Sequence, residues 1–573
     1  MRRRNFFPTA LFLLAISWGS FAAETKFISG YTQKPAGSIT YSKQIAPIIY
    51  GNCAGCHRPG QIAPFVLLNY ADVHKRAQLI AELVGKRVMP PWQPEPGYGE
   101  FEGERRLTAE QIGLIQQWEA EGAAEGNPAD LPPKPVWVEG WELGKPDLIL
   151  KPSRAYALAA AGRDVYRNFV LPIPTTNNFY VRAMEFHPSS PAMHHAFMFL
   201  DRQKQSRAFE GRDDQPGFAG MDLPSNVAMP QGHFLSWQPG RRAYQPRPEF
   251  AWTLPRHADF IVQAHMNPTG KPEMIQPEIG FYFTDQAPTR SFYKIGLMSM
   301  TIDIPAGEEN YVVEDSYRLP VDATVYSVNP HAHYLGKEIQ AYATLPDGTR
   351  KWLLLIKHWD FYWQGDYRLK EPLALPKGTV LAMHYTFDNS AANPRNPSRP
   401  PRRVTSGVNT TNEMAELWIQ VSPAPADLLT LATDFQSKAM KAVLQTYEYR
   451  LRIDPNDANA HARYGVAQLL QGATNEAKLH LEAAIKIDGT LDEPHFYLGM
   501  IHRAEGRIAE ARRELEKTVA LNTNAYRAYG TLGFLAAQEQ KRDEAMAYFR
   551  RALAINPDDT LARNSLEQLE KIK

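Results

Sequence analysis

Apolar positions along this chain follow three spacings in turn. In "YSKQIAPIIYGNC" (Tyr41 to Cys53) and "LTAEQIGLIQQWEAEGA" (Leu107 to Ala123) they recur at helical intervals, with Ile112, Ile115 and Trp118 on one face of the second segment. Thr108 and Gln111 stand where a capping box would start that second helix. From roughly Pro135 to Gln420 the texture shortens. Aromatic and β-branched runs such as "FYVRAMEF", "HAFMFL", "DFIVQAHM", "IGFYF", "LAMHYTF" and "AELWIQV" alternate with turns and frequent prolines. This is antiparallel material, about 280 residues of it, enough for two β-sandwiches. Further on a long period takes over. Gly465, Gly499 and Gly533 are 34 residues apart, as are Ala477, Ala511 and Ala545, and Leu481, Leu515 and Phe549. Small residues at fixed offsets let paired helices cross closely, so the pattern predicts a stacked helical array.

A period of 34 is that of tetratricopeptide repeats. Three full repeats span about Asp457 to Asp558, bracketed by "IDPND" at Ile453 and "INPDD" at Ile555, with a helix before and a closing helix after. Such arrays bind peptides or proteins on a concave face, or serve as a structural cap or dimerisation element. His461, His480, His495 and His502 read as ordinary packing or surface residues of that array.

Composition changes the picture in two places. The net charge is +1, which gives no global reason to expect nucleic acid. The opening "MRRRNFFPTALFLLAISWGSFAAE" has arginines, an apolar run and a small-residue end. It predicts a signal peptide over residues 1–23, cleaved after Ala22 or Ala23, and a periplasmic or secreted protein. The apolar run is short and broken by Pro8, which argues against an uncleaved anchor, and no membrane span is expected after cleavage. Export favours disulfides, yet the only cysteines are Cys53 and Cys56, both in one motif.

That motif, Cys53-Ala54-Gly55-Cys56-His57, is the C-x-x-C-H pattern of covalent haem attachment, with His57 as an iron ligand. A thioredoxin-like pair or half a zinc site would leave the adjacent histidine unexplained. The flanking helices resemble a small cytochrome c, and "KRVMPPW" resembles cytochromes with methionine before paired prolines. Met89 is therefore the expected sixth ligand, with His74 behind it.

The middle region carries the remaining candidate ligands. "AMHHAFMFLD" gives adjacent His194 and His195, "IVQAHMNPTGK" gives His265, "NPHAHYLGK" gives His331 and His333, and "TTNEMAELWIQ" gives Met414. Imidazole suits copper, and a thioether favours its reduced form. His331 and His333 share one face of a strand. Adjacent His194 and His195 point to opposite faces of a regular strand, so sharing a metal requires a bulge there.

The order "HH", "Q-x-H", "H-x-H-x-L-G" and "NEM" before a terminal strand, together with "YATLPDGTRKWLLLI", resembles the copper type II ascorbate-dependent monooxygenases. These are the family of peptidylglycine α-hydroxylating and dopamine β-monooxygenases. The resemblance covers about Trp137 to Val421. It implies that His194, His195 and His265 hold an electron-transfer copper, and that His331, His333 and Met414 hold the copper that binds dioxygen. Gln263 occupies the family's glutamine position. Met383 and His384 rank below Met414 as ligands, and His187, His233, His257 and His358 match no motif. Two positions depart from the peptide-hydroxylating branch: Asn329 stands for its carboxylate-gripping arginine, and Trp418 for its tyrosine. No disulfides brace the domains.

The expected fold is multidomain. It comprises a cytochrome c-like α domain over 38–127, two antiparallel, jelly-roll-like β-sandwiches over 135–295 and 296–424, and an α-solenoid of tetratricopeptide repeats over 440–573. The expected activity is hydroxylation of a C–H bond of an organic substrate by dioxygen. One covalent haem c would relay electrons from an exported donor to two coppers, and a protein partner would dock on the repeats. The alternatives are a non-catalytic exported electron carrier or copper-binding protein, and a docking scaffold with a redox attachment. "AANPRNPSRPPRRV" (Ala391 to Val404) reads as a solvated loop, with an acidic redox partner as its other use.

Overall fold

The computed structural model describes residues 27–571 except 60, 62, 139, 212, 222, 225, 226 and 408. The expected signal peptide lies outside the described residues. The chain forms two compact units, one from the residues up to Pro59 with Pro64–Pro91 and Arg105–Pro135, the other chiefly from Trp92–Glu104 and everything from Val136 onward.

The first unit is helical. A turn over Tyr41–Ile45 runs into helix Ala46–Asn52, followed by Tyr70–His74, Ala77–Gly85 and Ala109–Ala120. The last begins with the expected capping box: the Thr108 hydroxyl accepts from Gln111 N–H, and Thr108 N–H donates to the Gln111 side chain. Ile112, Ile115 and Trp118 are buried together with Ile45, Ile49, Val73 and Val84.

In the second unit, five strands in the order Phe218–Ala219, Val165–Pro172, Asp259–Met266, Met193–Asp201 and Ser236–Trp237 form one sheet. A four-stranded sheet of Leu148–Leu150, Glu278–Thr284, Phe179–His187 and Trp252–Leu254 closes over the same core, around Phe169, Val262, Phe260 and Trp252. The next sandwich pairs Tyr293–Ser299, Ala415–Pro423, Ala323–His331 and Tyr367–Leu375 in one sheet, and Tyr311–Arg318, Val380–Phe387, Gly336–Thr344 and Arg350–Ile356 in the other. Its core is built around Ile295, Leu297, Val328, Ile339 and Tyr385.

Two boundaries differ from those read off the sequence. Strand Tyr293–Ser299 straddles the division at 295/296, yet all of it pairs with Ala415–Pro423 and belongs to the second sandwich. Residues 92–104, expected inside the haem domain, leave the helical unit. Phe101 is 1% exposed in the second sandwich's core, bridged to Leu369. Glu95 N–H donates to Leu355 O, and Lys370 N–H to Glu100 O. The alternation in this short segment is too weak to announce such long-range pairing.

Helix Leu428–Ile453 packs Leu431 and Phe435 into the second sandwich. Three helix pairs follow, Ala458–Leu470 with Thr474–Ile487, Asp492–Ala504 with Ile508–Leu521, and Tyr526–Gln538 with Arg542–Ile555, closed by Thr560–Lys571. The 34-residue spacing has a steric cause. A Cβ on Gly465, Gly499 or Gly533 would stand 2.9, 2.9 or 2.7 Å from Leu481, Leu515 or Phe549 of the paired helix.

Candidate metal centre

The first histidine set depends on an irregular strand. Met193 pairs with Met266 and His195 with His265, so two steps along one strand match one step along its partner. His194 is the extra residue of a β-bulge, which is what allows adjacent imidazoles to share a side. The ligand nitrogens of His194, His195 and His265 lie within 4.8 Å of one another. His195 Nε2 and His265 Nδ1 are 3.1 Å apart, the spacing expected for two nitrogens each about 2.0 Å from a shared metal. His265 Nε2 meets Asp164 Oδ2 at 3.1 Å, and Tyr166 stacks on the ring at 4.2 Å, so the face it presents is held from behind.

Both ring nitrogens of His194, and Nδ1 of His195, are buried without a hydrogen-bond partner. Leaving such groups unpaired costs about 1–3 kcal/mol each. Burial pushes His194 down to about 4 and His195 well below the usual histidine range. The His194 and His195 imidazoles are therefore neutral near pH 7, with lone pairs available to a cation.

The second set lies at the end of strand Ala323–His331. The rings of His331 and His333 are 5.2 Å apart and nearly perpendicular. His331 Nδ1 is held by the Gln364 side chain and His333 Nδ1 by Asn412 O at 3.1 Å, which leaves Nε2 of each for a ligand. Burial pushes His333 down to about 3. Met414, also buried, immediately precedes the strand Ala415–Pro423, in which Glu416 pairs with His331. The fully buried Glu413 joins the two segments: Oε1 accepts from His333 N–H and Met414 N–H, and Oε2 from Leu335 N–H at 2.9 Å. Burial pushes this carboxyl up to about 8 against the downward pull of the three amides.

Phe361 links the two sets. Its ring centroid is 5.9 Å from that of His194 and 5.8 Å from that of His333. The turn that carries it is braced by Gln93, which accepts from Asp360 N–H at 2.6 Å and donates to Trp363 O at 2.7 Å. The same turn leads into Gln364 beside His331.

The remaining sequence candidates fall away from these sets. Gln263 shares the face of His265 but is tied to Asn168 and Met221 O. Met383 is in the sandwich core, and His384 faces outward to Glu314 at 2.7 Å. In the Ala391–Val404 loop, Arg395 pairs with Asp360 and Arg403 with Asp303, and Arg399 donates to Pro394 O, so at least three of its four arginines are engaged within the chain. Asp164, Gln364, Asn412, Glu413, Phe361 and Gln93 carried no signal of their own in the sequence, although Asn412 and Glu413 lie in the "NEM" motif.

In the helical unit, Cys53 caps Ala46–Asn52, and the N–H groups of Cys56 and His57 both return to Cys53 O. His57 Nδ1 is held by Phe65 O at 3.0 Å, which leaves Nε2 outside that bond. Both thiols are free, and burial pushes Cys53 up to about 12. A redox-active C-x-x-C pair depends on a lowered thiol, so this environment suits thioether attachment better. Met89 is half-buried after helix Ala77–Gly85, and His74 ends its own helix against Tyr70.

Residues 502–569 match the tetratricopeptide repeat family, and the C-terminal segment is such an array. No curated protein matches the chain. Among solved structures it is similar to MamA in two crystal structures, each at 23% identity over 24% of this chain and 80% or 74% of that one, with a TM-score of 0.22. It is also similar to PilF of Pseudomonas aeruginosa, at 22% identity over 23% of this chain and 61% of that one, TM-score 0.22. No helix among the described residues is long and apolar enough to cross a membrane.

Proposed function

We propose that this chain is an exported, copper- and haem-dependent monooxygenase that hydroxylates a C–H bond of an organic substrate. The observation that supports it best is the bulge at His194, which gathers three imidazoles and leaves three of their nitrogens buried and unpaired. A strand would not keep so costly an arrangement for packing alone. His194, His195 and His265 would hold one copper, and His331, His333 and Met414 the other, the thioether favouring copper over zinc. Cys53 and Cys56 would bear the haem, with His57 and Met89 as its ligands. Copper in these sets supplies one-electron storage and dioxygen activation, and the haem supplies single-electron relay from an exported donor.

The balance is R–H + O2 + two electrons + two protons giving R–OH + H2O. The chain's own residues do the positioning. Asp164 orients His265, Gln364 and Asn412 orient His331 and His333, and Phe361 keeps an apolar wall between the sets. The repeats suit docking of a protein partner.

The test is protein matured in an exported compartment, assayed for metal, haem and oxygen uptake. One haem and two coppers per chain, with about one hydroxylated product per dioxygen, is the expected result. Metal-loaded protein with no substrate-dependent oxygen uptake across a library of organic substrates would make it an electron carrier or copper-binding protein instead.

A further inference from the structure

A buried ion pair joins the two sandwiches, and nothing in the proposed reaction uses it. Arg241 belongs to the first sandwich: it follows strand Ser236–Trp237, and Tyr244 behind it bridges to Met184. Asp366 belongs to the second, directly before strand Tyr367–Leu375. The Arg241 guanidinium donates to Asp366 Oδ2 and, at 2.6 Å, to Ser236 Oγ. Each end lies one strand away from a histidine set. Ser236 pairs with Phe197, two residues beyond His195 on the strand that carries the bulge. Tyr367 pairs with Val328, three residues before His331. Gln364, two residues before Asp366, holds His331 Nδ1, and Gly365 O between them accepts from Asn329 Nδ2 at 3.2 Å.

The pair is almost out of water, with side-chain exposures of 14% for Arg241 and 2% for Asp366. Stripping the hydration from two charges offsets most of their attraction, so such a pair contributes geometry more than stability. That geometry is held from both sides. Arg368 of the second sandwich approaches Asp366 Oδ2 at 3.7 Å and lies over the Tyr244 ring of the first, 4.7 Å from its centroid. Tyr244 is held in turn by His233 Nδ1 at 2.7 Å. Gln420 Nε2 donates to Gly232 O at 3.2 Å across the same boundary. No cysteine can brace this boundary, since Cys53 and Cys56 lie in the helical unit.

We infer that Arg241 is a positioning residue: its ion pair with Asp366 fixes the separation of the two histidine sets, by riveting the strand beside one to the strand beside the other. Arginine suits the task because its planar fork sets direction as well as distance. The consequence for catalysis rests on the two-copper reading; the separation itself does not.

Spin labels carried on unnatural amino acids at Met274 and Val312, both exposed and one in each sandwich, report the separation in the full-length, chelator-treated protein by pulsed electron spin resonance. A second pair, at Val312 and the exposed Lys351, reports the second sandwich alone. The parent should give a narrow distance distribution for each pair. Arg241→Met should widen the first at least about twofold and leave the second unchanged. Arg241→Lys, which keeps the charge, should stay closer to the parent. Asp366→Asn, which keeps the shape and removes the charge, carries the same comparison should Arg241→Met fail to fold. A first distribution as narrow in the variants as in the parent, or equal widening of both pairs, overturns the role of Arg241. Metal analysis of the untreated parent decides the copper reading separately. A spacing that depends on Arg241 in a protein without copper keeps the rivet and removes the oxygenase, and two bound coppers with unchanged spacing in the variants does the reverse.

Discussion

The backbone amides of His333 and Met414 converge on one oxygen, Oε1 of Glu413. The two residues are 81 positions apart in sequence. The buried Glu413 carboxyl pins both backbones, as the proposed copper site would require. Glu413→Ala would leave three buried N–H groups unpaired, at a cost of roughly 3 kcal/mol or more. Metal analysis should then show selective loss of the copper assigned to His331, His333 and Met414. Retention of both coppers in a folded Glu413→Ala protein would count against the clamp.

Met414→Ile removes the soft donor and keeps an apolar side chain of similar size. Hydroxylation should vanish while the haem absorption spectrum stays as in the parent protein. Hydroxylation that persists in this variant refutes the role of Met414.

His194→Ala separates function from stability. With metal removed, the variant should melt higher than the parent, by the equivalent of about 1–3 kcal/mol, because a ring with two unpaired buried nitrogens is gone. With copper added, the order should reverse, since only the parent gains from binding. Calorimetry with and without a chelator reads both.

Stability in acid has a contributor remote from the metal sets. His233 is buried against Tyr244, to which its Nδ1 is bonded at 2.7 Å, and burial pushes it down to about 3. The unfolded chain takes up that proton near pH 6.5, well before the folded one does. The loss is therefore absent above about pH 6.5 and grows as pH falls toward 3, by up to about 1.4 kcal/mol per pH unit. His233→Asn, which can keep a bond to Tyr244, should flatten denaturant-derived stability between pH 6 and 4. Parallel pH profiles for the two proteins would rule this out.

Gly499→Ala should destabilise the repeats by about 1–3 kcal/mol, since its Cβ meets Leu515 Cγ at 2.9 Å. Haem and copper content should not change. Circular dichroism melts paired with metal analysis test both halves of the expectation.

The periodic parts were legible because each repeats a local rule. Gly465, Gly499 and Gly533 announce close helix crossings, and Thr108 with Gln111 announces a helix start. The need for a bulge at His194 was also readable, because adjacent ligands cannot share one side of a flat strand. What stayed hidden was contributed from a distance. Asp164 reaches His265 across 101 residues, and Gln364 reaches His331 across 33. Neither position has a neighbour whose spacing would mark it. Trp92–Glu104 was assigned by proximity in sequence to the helical unit, although Phe101 fills a sandwich core.

That borrowed segment makes the molecule hard to dissect. A chain started at residue 136 would lose Phe101 from its interior and Gln93 from beneath Phe361, so trimming the first 135 residues would hollow out a sandwich and loosen the partition between the histidine sets. Recombination that swapped the helical unit for another carrier would have to transplant the thirteen residues 92–104, with Phe101 among them, as well. The two units have to be inherited, expressed and engineered as one piece.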